Sequence, residues 1–201
     1  MVATEAGQDG QLRCAWCVGR PLYEHYHDHE WGFPVVDDRR LFEKISLEAF
    51  QAGLSWYTIL QKRAHFRAAF AQFDFAKVAQ FGPEDVQRLL QDAGIVRHRG
   101  KIEAVIHNAA RALEMVAQEG SLSAFFWRFA PLQDSDGTQL LAQTAESQAL
   151  SKELKRRGWK FVGPTTCYAF MQSMGMVNDH AAGCVTRTVV AQAKSQFQMP
   201  R

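Results

Sequence analysis

The stretch Gly94-Ile95-Val96-Arg97-His98-Arg99-Gly100-Lys101-Ile102 decides the fold. Before it, Gly82-Pro83-Glu84-Asp85 opens a helix with proline at the first helical position and acids in the first turn. Val86, Leu89 and Leu90 give that helix an apolar face. After it, Ile106, Ala109, Ala110, Leu113 and Val116 recur at helical spacing. The reading is helix, short Gly-bounded turn, helix. Such a turn offers backbone N–H groups to an anion such as a phosphate, with Arg97, His98, Arg99 and Lys101 close by. A plain pair of antiparallel helices with a solvated basic corner has the same pattern.

Working towards the N-terminus, Leu47-Glu48-Ala49-Phe50-Gln51-Ala52-Gly53-Leu54-Ser55-Trp56 reads as the junction of two further helices. Asp37 and Asp38 start the first, whose Leu41, Phe42, Ile45, Leu47 and Phe50 follow at roughly helical spacing to about Gln51. Gly53 ends it, since a left-handed C-terminal position costs glycine almost nothing. Ser55 can cap the second, with Ile59, Leu60, Phe66, Ala69 and Phe70 as its apolar positions. Glu48 and Trp56 thus flank an exposed loop tip. A carboxylate beside a flat π-surface suits a pocket for an aromatic ring, a cationic one included; a core tryptophan and an exposed glutamate is the alternative.

The rest of the chain is helical in pattern as well. Asp74 caps a short helix, Ser121 begins one containing Phe125, Phe126, Trp127 and Phe129 as core aromatics, and Gly163-Pro164 opens one closed by Gly175. Residues 133–144 read as the longest loop. A helix resuming near Ser147 ends in a second basic patch at Lys152, Lys155, Arg156, Arg157 and Lys160, of the kind that solvated helix ends carry. No strand pair, repeat or low-complexity block is evident, so the expected fold class is all-α. Residues 1–13 read as a loose leader, 14–187 as one domain, and 188–201 as a frayed tail.

The 201 residues include 47% hydrophobic and 22% charged residues, the make-up of a soluble globular protein. A net charge of +2 is too small to establish nucleic-acid binding. No apolar run approaches the roughly 18 residues of a membrane span and no signal-peptide core is present, so a cytoplasmic location is expected. The four cysteines, Cys14, Cys17, Cys167 and Cys184, are too few for a disulfide scaffold. Cys14, Cys17, His25, His27 and His29 cluster in one segment, and His180 and Cys184 stand four apart near the other end, as metal ligands on one turn or loop can. Buried thiols and surface histidines are the alternative reading.

These pieces together resemble the 3-methyladenine DNA glycosylase I family of the helix-hairpin-helix superfamily. The resemblance spans about residues 13–184. It rests on C-x-W at Cys14, on P-L-Y-x-x-Y-H-D-x-E-W-G from Pro21, on L-E-x-x-Q-A-G-L-S-W from Leu47, and on D-A-G-I-x-R-H-R-G-K-I from Asp92. K-x-L-K-x-R-G-x-K-F-V-G from Lys152 and V-N-D-H from Val177 complete it.

The resemblance implies a monofunctional base-excision repair enzyme that flips 3-methyladenine out of alkylated double-stranded DNA and hydrolyses its N-glycosidic bond. Free 3-methyladenine is then the released product, and a monomer the expected state. It also implies a structural zinc joining the two ends of the domain through Cys14, His27, His180 and Cys184, a closed tetrahedral set with no open position for water. Cys17 departs from the pattern and leaves a competing set built on Cys14-x-x-Cys17. Glu48 and Tyr26 correspond to base-contacting residues, Glu48 being the catalytic candidate. Trp56 corresponds to the stacking aromatic, with Trp16, Tyr23 and Trp31 completing the wall. Gly53 and Leu54 correspond to the loop entering the duplex, and Gly94, Arg97, His98, Arg99, Gly100 and Lys101 to the hairpin on the phosphate backbone. A DNA-binding module without catalysis and a zinc hydrolase acting on a small molecule are the rival readings.

Overall fold

The computed structural model describes residues 3–139 and 141–200. Ten α-helices lie among them: α1 Pro21–His29, α2 Asp38–Gln51, α3 Trp56–Ala69, α4 Phe75–Val78, α5 Pro83–Gln91, α6 Arg99–Glu119, α7 Leu122–Trp127, α8 Ala145–Arg156, α9 Pro164–Ser173 and α10 Val185–Ser195. Most starts follow from local chemistry. The side chains of Asp37, Ser55, Asp74, Ser121 and Thr144 accept backbone N–H groups at the starts of α2, α3, α4, α7 and α8. Asp38 does further work across the fold, accepting from the N–H groups of Leu122 and Ser123 at 3.0 and 2.9 Å and so tying α2 to the start of α7.

The core is aromatic. Phe42, Phe50, Phe66, Phe70, Phe73, Phe125, Phe126 and Phe170 are fully buried, with Trp159 against Phe42 and Phe126. The aromatics expected in the core from Ser121 onwards are there. The long helix α2 runs through the middle, packed by α3, α6, α7 and α9. Its polar residues are consequently enclosed along with its apolar ones, and from Leu41 to Phe50 every residue is buried.

Three expectations are corrected. The fold is mostly helical rather than all-α, because Thr4–Ala6 (β1) and Leu12–Cys14 (β2) pair antiparallel. Most of the segment read as a loose leader is therefore a hairpin, its first two residues lying outside the described ones. Its anchor is tertiary: the guanidinium of Arg13 donates to Asp9 on the hairpin and to Asp28 on α1. The segment read as a frayed tail continues α10 to Ser195, with Val190 buried and the Phe197 ring 4.3 Å from Trp127. The expected boundary after residue 187 falls inside this helix. No helix among the described residues is long and apolar enough to cross a membrane.

Candidate functional site

Helices α1, α2, α3 and α9 enclose one cavity of about 140 Å³, small beside the roughly 300–1,000 Å³ of a drug-sized site. Its wall contains all six side chains singled out for base binding: Trp16, Tyr23, Tyr26, Trp31, Glu48 and Trp56. Their convergence follows from three local facts. Pro21 starts α1 so that Tyr23 and Tyr26 lie one turn apart, Gly53 with φ +85° turns the chain out of α2, and Ser55 restarts it as α3. Ring centroids stand 4.7 Å apart for Trp16 and Tyr23, 5.2 Å for Trp16 and Trp31, and 5.5 Å for Tyr26 and Trp56. Glu48 is buried, which removes the alternative of an exposed glutamate. The indole Nε1 of Trp56 is also buried and finds no hydrogen-bond partner among the described residues.

Sequence reasoning missed Gln51, Ala169 and Gln172, which complete the wall. Gln51 lies within the Leu47–Trp56 stretch and one turn from Glu48, a usable signal. Ala169 and Gln172 come from α9 through tertiary packing, with Gln172 held by a hydrogen bond of 2.8 Å to Asp179. Lys44 was missed as well. Its Nζ lies 2.8 Å from Glu48 Oε1, 2.8 Å from Tyr26 Oη and 3.1 Å from the Trp56 ring centroid. A lysine one helical turn before a glutamate was visible in the sequence; its burial was not. Burial pushes the Lys44 ammonium down to about 8, partly offset by the Glu48 carboxylate. Burial likewise pushes the Tyr26 hydroxyl up, so it remains protonated.

A second hollow shares Glu48 and Gln51 with the first and runs along Ala52, Gly53, Leu54, Thr165 and Thr166. Leu54 is exposed at its edge, and nothing lies within 4 Å of where a Cβ on Gly53 would project. The hairpin between α5 and α6 presents Arg97, His98 and Arg99 outward. Gly94 passes so close to His65 that a Cβ there would meet its ring at 2.8 Å. His98 caps α6 by accepting from the Lys101 N–H, and Arg99 pairs with Glu103. Lys101 behaves otherwise than its neighbours. Its ammonium points inward and donates to the Phe50 and Ala52 carbonyls at 2.9 and 2.6 Å, so it closes the C-terminal end of α2 instead of facing a phosphate.

An early segment of the chain and a late one meet at a buried group. Ligating atoms of Cys14, His27 and Cys184 all lie within 4.8 Å of one another, an arrangement that could bind a metal ion. His180, the fourth residue singled out, is buried with its ring 4.9 Å from His27 but lies outside that group of three. The donors fit a cation. Nδ1 of His27 engages Asp28 at 2.7 Å and Nδ1 of His180 engages Asn178 at 3.0 Å, which turns the Nε2 lone pairs of both rings to the interior. The His180 Nε2 is buried with no partner among the described residues. Gly32 makes room for it, since a Cβ there would lie 2.7 Å from the ring. The Cys184 thiol is pushed down, first by its hydrogen bond with Cys14 and then by that with His27, and the bond between the two thiols pushes Cys14 up. Cys17 is buried beside the cluster and bonds the Cys14 carbonyl at 3.1 Å.

A helical hairpin, an aromatic cage with one carboxylate and a buried thiol and imidazole cluster mark this chain out, and its relatives show its family. Residues 16–188 match the methyladenine glycosylase family, and the chain belongs to that family. It is 52% identical over 177 residues to a protein of Escherichia coli K12 named DNA-3-methyladenine glycosylase 1, covering 86% of this chain and 95% of that protein. It is 46% identical over 181 residues to the Haemophilus influenzae DNA-3-methyladenine glycosylase, covering 88% and 98%. A crystal structure of a point variant of a 3-methyladenine DNA glycosylase I in complex with 3-methyladenine superposes with a TM-score of 0.82 at 36% identity, covering 87% of this chain and 97% of that one.

Proposed function

We propose the following roles for a DNA-3-methyladenine glycosylase acting in base-excision repair. The enzyme releases 3-methyladenine from alkylated DNA by hydrolysing its N-glycosidic bond. The observation that carries the assignment is the cavity itself: five aromatic rings and one buried carboxylate around a space the size of a single ring system. A base stacked in a duplex cannot reach such a cavity, so the nucleotide is flipped out, at a cost of a few kcal/mol that is least for a damaged base. Leu54 and Gly53 stand where the gap would be left, and Arg97, His98 and Arg99 with the N–H groups of the hairpin hold the phosphate backbone of double-stranded DNA.

Methylation at N3 makes the adenine cationic and already a good leaving group. Trp56 stacks on it, a cation–π contact contributing about 0.5–2 kcal/mol. Glu48 uses the oxygen not held by Lys44 to accept from the exocyclic amine, and the Tyr26 hydroxyl stands beside it. The bond from the sugar carbon to the base nitrogen breaks, its electron pair leaves with the base, and water adds to the sugar carbon and gives up a proton. No covalent enzyme–DNA intermediate forms. A structural zinc held by Cys14, His27, His180 and Cys184 would tie the hairpin β1–β2 and α1 to the start of α10, with no share in the chemistry. The protein acts in the cytoplasm as a monomer.

The test is base release from methylated duplex DNA, with the freed base identified by chromatography and Glu48→Gln measured alongside. Release of 3-methyladenine, weaker in the variant, is expected. DNA binding without any base release would overturn the enzymatic reading in favour of a binding module. A borohydride-trapped protein–DNA adduct would overturn hydrolysis by water alone.

A further inference from the structure

The pocket holds a cation of its own. Lys44 lies on α2 one turn before Glu48, its side chain is 7% exposed and that of Glu48 5%. Its three N–H directions are taken by Glu48 Oε1, the Tyr26 hydroxyl and the face of the Trp56 ring. These are the three side chains assigned above to hold the base. The neighbouring charges cannot replace it: Arg63 is engaged with Glu30 at 2.5 and 2.8 Å, and its guanidinium is 6.0 Å from the Tyr26 ring.

Such an ammonium has two effects. It fixes the Glu48 carboxylate, the Tyr26 hydroxyl and the Trp56 ring relative to one another. It also cancels the Glu48 charge and draws on the same ring quadrupole that a cationic base would use. This matters because the base changes charge during the reaction. It is cationic while joined to the sugar and neutral once the electron pair of the broken bond has left with it. A cage that favoured the cation alone would stabilise the substrate more than the transition state and slow the cleavage.

Resting on the glycosylase reading above, we infer that Lys44 is a positioning residue that sets the charge of the base pocket. It shifts the pocket's preference from the cationic base of the substrate towards the neutral departing base.

The test compares the wild type with Lys44→Met and Lys44→Gln, the second keeping a hydrogen-bond donor without the charge. Two probes are titrated by tryptophan fluorescence: neutral 3-methyladenine, and an adenine methylated at both N3 and N9, which carries a fixed positive charge. In both variants the affinity for the charged probe relative to the neutral one should rise at least about tenfold, equivalent to about 1.4 kcal/mol. On methylated duplex DNA kcat and KM should fall together, the signature of lost ground-state destabilisation. An affinity ratio within about twofold of the wild type, or a fall in kcat with KM unchanged or raised, overturns the charge-setting role and leaves Lys44 as packing. If Lys44→Gln keeps the wild-type ratio while Lys44→Met does not, the role belongs to the hydrogen bonds and the inference fails. If the wild type neither binds 3-methyladenine nor releases it, the base-pocket reading fails first and this inference with it.

Discussion

In the aromatic pocket a buried ammonium meets a carboxylate and a hydroxyl, so that Lys44, Glu48 and Tyr26 are partnered within the protein. In the cluster next to it the thiols of Cys14 and Cys184 meet the imidazole of His27, and the Nε2 of the nearby His180 finds no partner among the described residues. Trp16 stands between the two, with its ring 4.7 Å from Tyr23 on one side and 5.2 Å from His27 on the other. The difference teaches how to tell a site that exchanges ligands from one that keeps its own. A pocket that opens to solvent must be tolerable when empty, so its charges are paired within the protein. A cluster of converging lone pairs is costly to bury unless a cation resides there.

The largest effect should come from the cluster. Cys184→Ser removes one of its donors, and structural zinc sites of this type carry about 10–16 kcal/mol of apparent binding free energy. Metal analysis should show substoichiometric zinc, and the melting temperature should fall by more than about 10 °C, given about 2–4 °C per kcal/mol for a chain of this size. An unchanged melting temperature together with a metal-free wild type would erase the contrast.

Next is the cost of burying Lys44. Burial lowers it to about 8 against an ordinary value of 10.5, so between those values the unfolded chain holds a proton that the folded one has lost. The folded state is therefore disfavoured at neutral pH by this group, on the order of 3 kcal/mol, and the deficit is relieved as pH rises from about 8 towards 10.5. Urea unfolding of the wild type should gain stability across that window relative to Lys44→Met. Parallel pH profiles for the two proteins would show that the ammonium is not buried at such a cost.

Two smaller effects sharpen the comparison from the pocket side. Trp56→Ala should reduce excision by about 10- to 100-fold, from about 1–3 kcal/mol per stacked base, while zinc content stays stoichiometric. Excision at the wild-type rate would remove Trp56 from the site. Lys101→Met leaves the carbonyls of Phe50 and Ala52 without their donor and should cost about 1–3 kcal/mol of stability. Because Lys101 starts from the hairpin helix and ends on the turn before Gly53, excision should weaken too. A thermal melt and the base-release assay on one preparation check both, and no change in either would mean that the hairpin and the turn at Gly53 are independent.

Local signals carried far in this protein. The capping side chains of Asp37, Ser55, Asp74 and Ser121 and the proline starts at Pro83 and Pro164 act within a turn of their own positions, and the helices begin where those residues stand. Glu48 and Trp56 were legible as a pair because they flank one short junction, whereas Trp16, Tyr23, Tyr26 and Trp31 entered the wall only through the family resemblance. The β1–β2 hairpin was not, since its strands are only three residues long and its tie to the rest of the fold is Arg13 reaching Asp28 on α1. Nor was the end of α10, where Phe197 finds its partner in Trp127, far back in the chain.

Capping and glycine conformation act over a few residues, so where helices start and stop, and which residue types gather in each segment, are local properties of the chain. Which charges lost their water depends on the packing. Lys44 carried no signal of its own and Lys101 read as a phosphate contact, yet the packing of α1 and α3 against α2 encloses the first beside Glu48, and the docking of α6 turns the second onto the end of α2. Desolvation depends on everything that surrounds a group, and that environment comes from segments far apart in the chain.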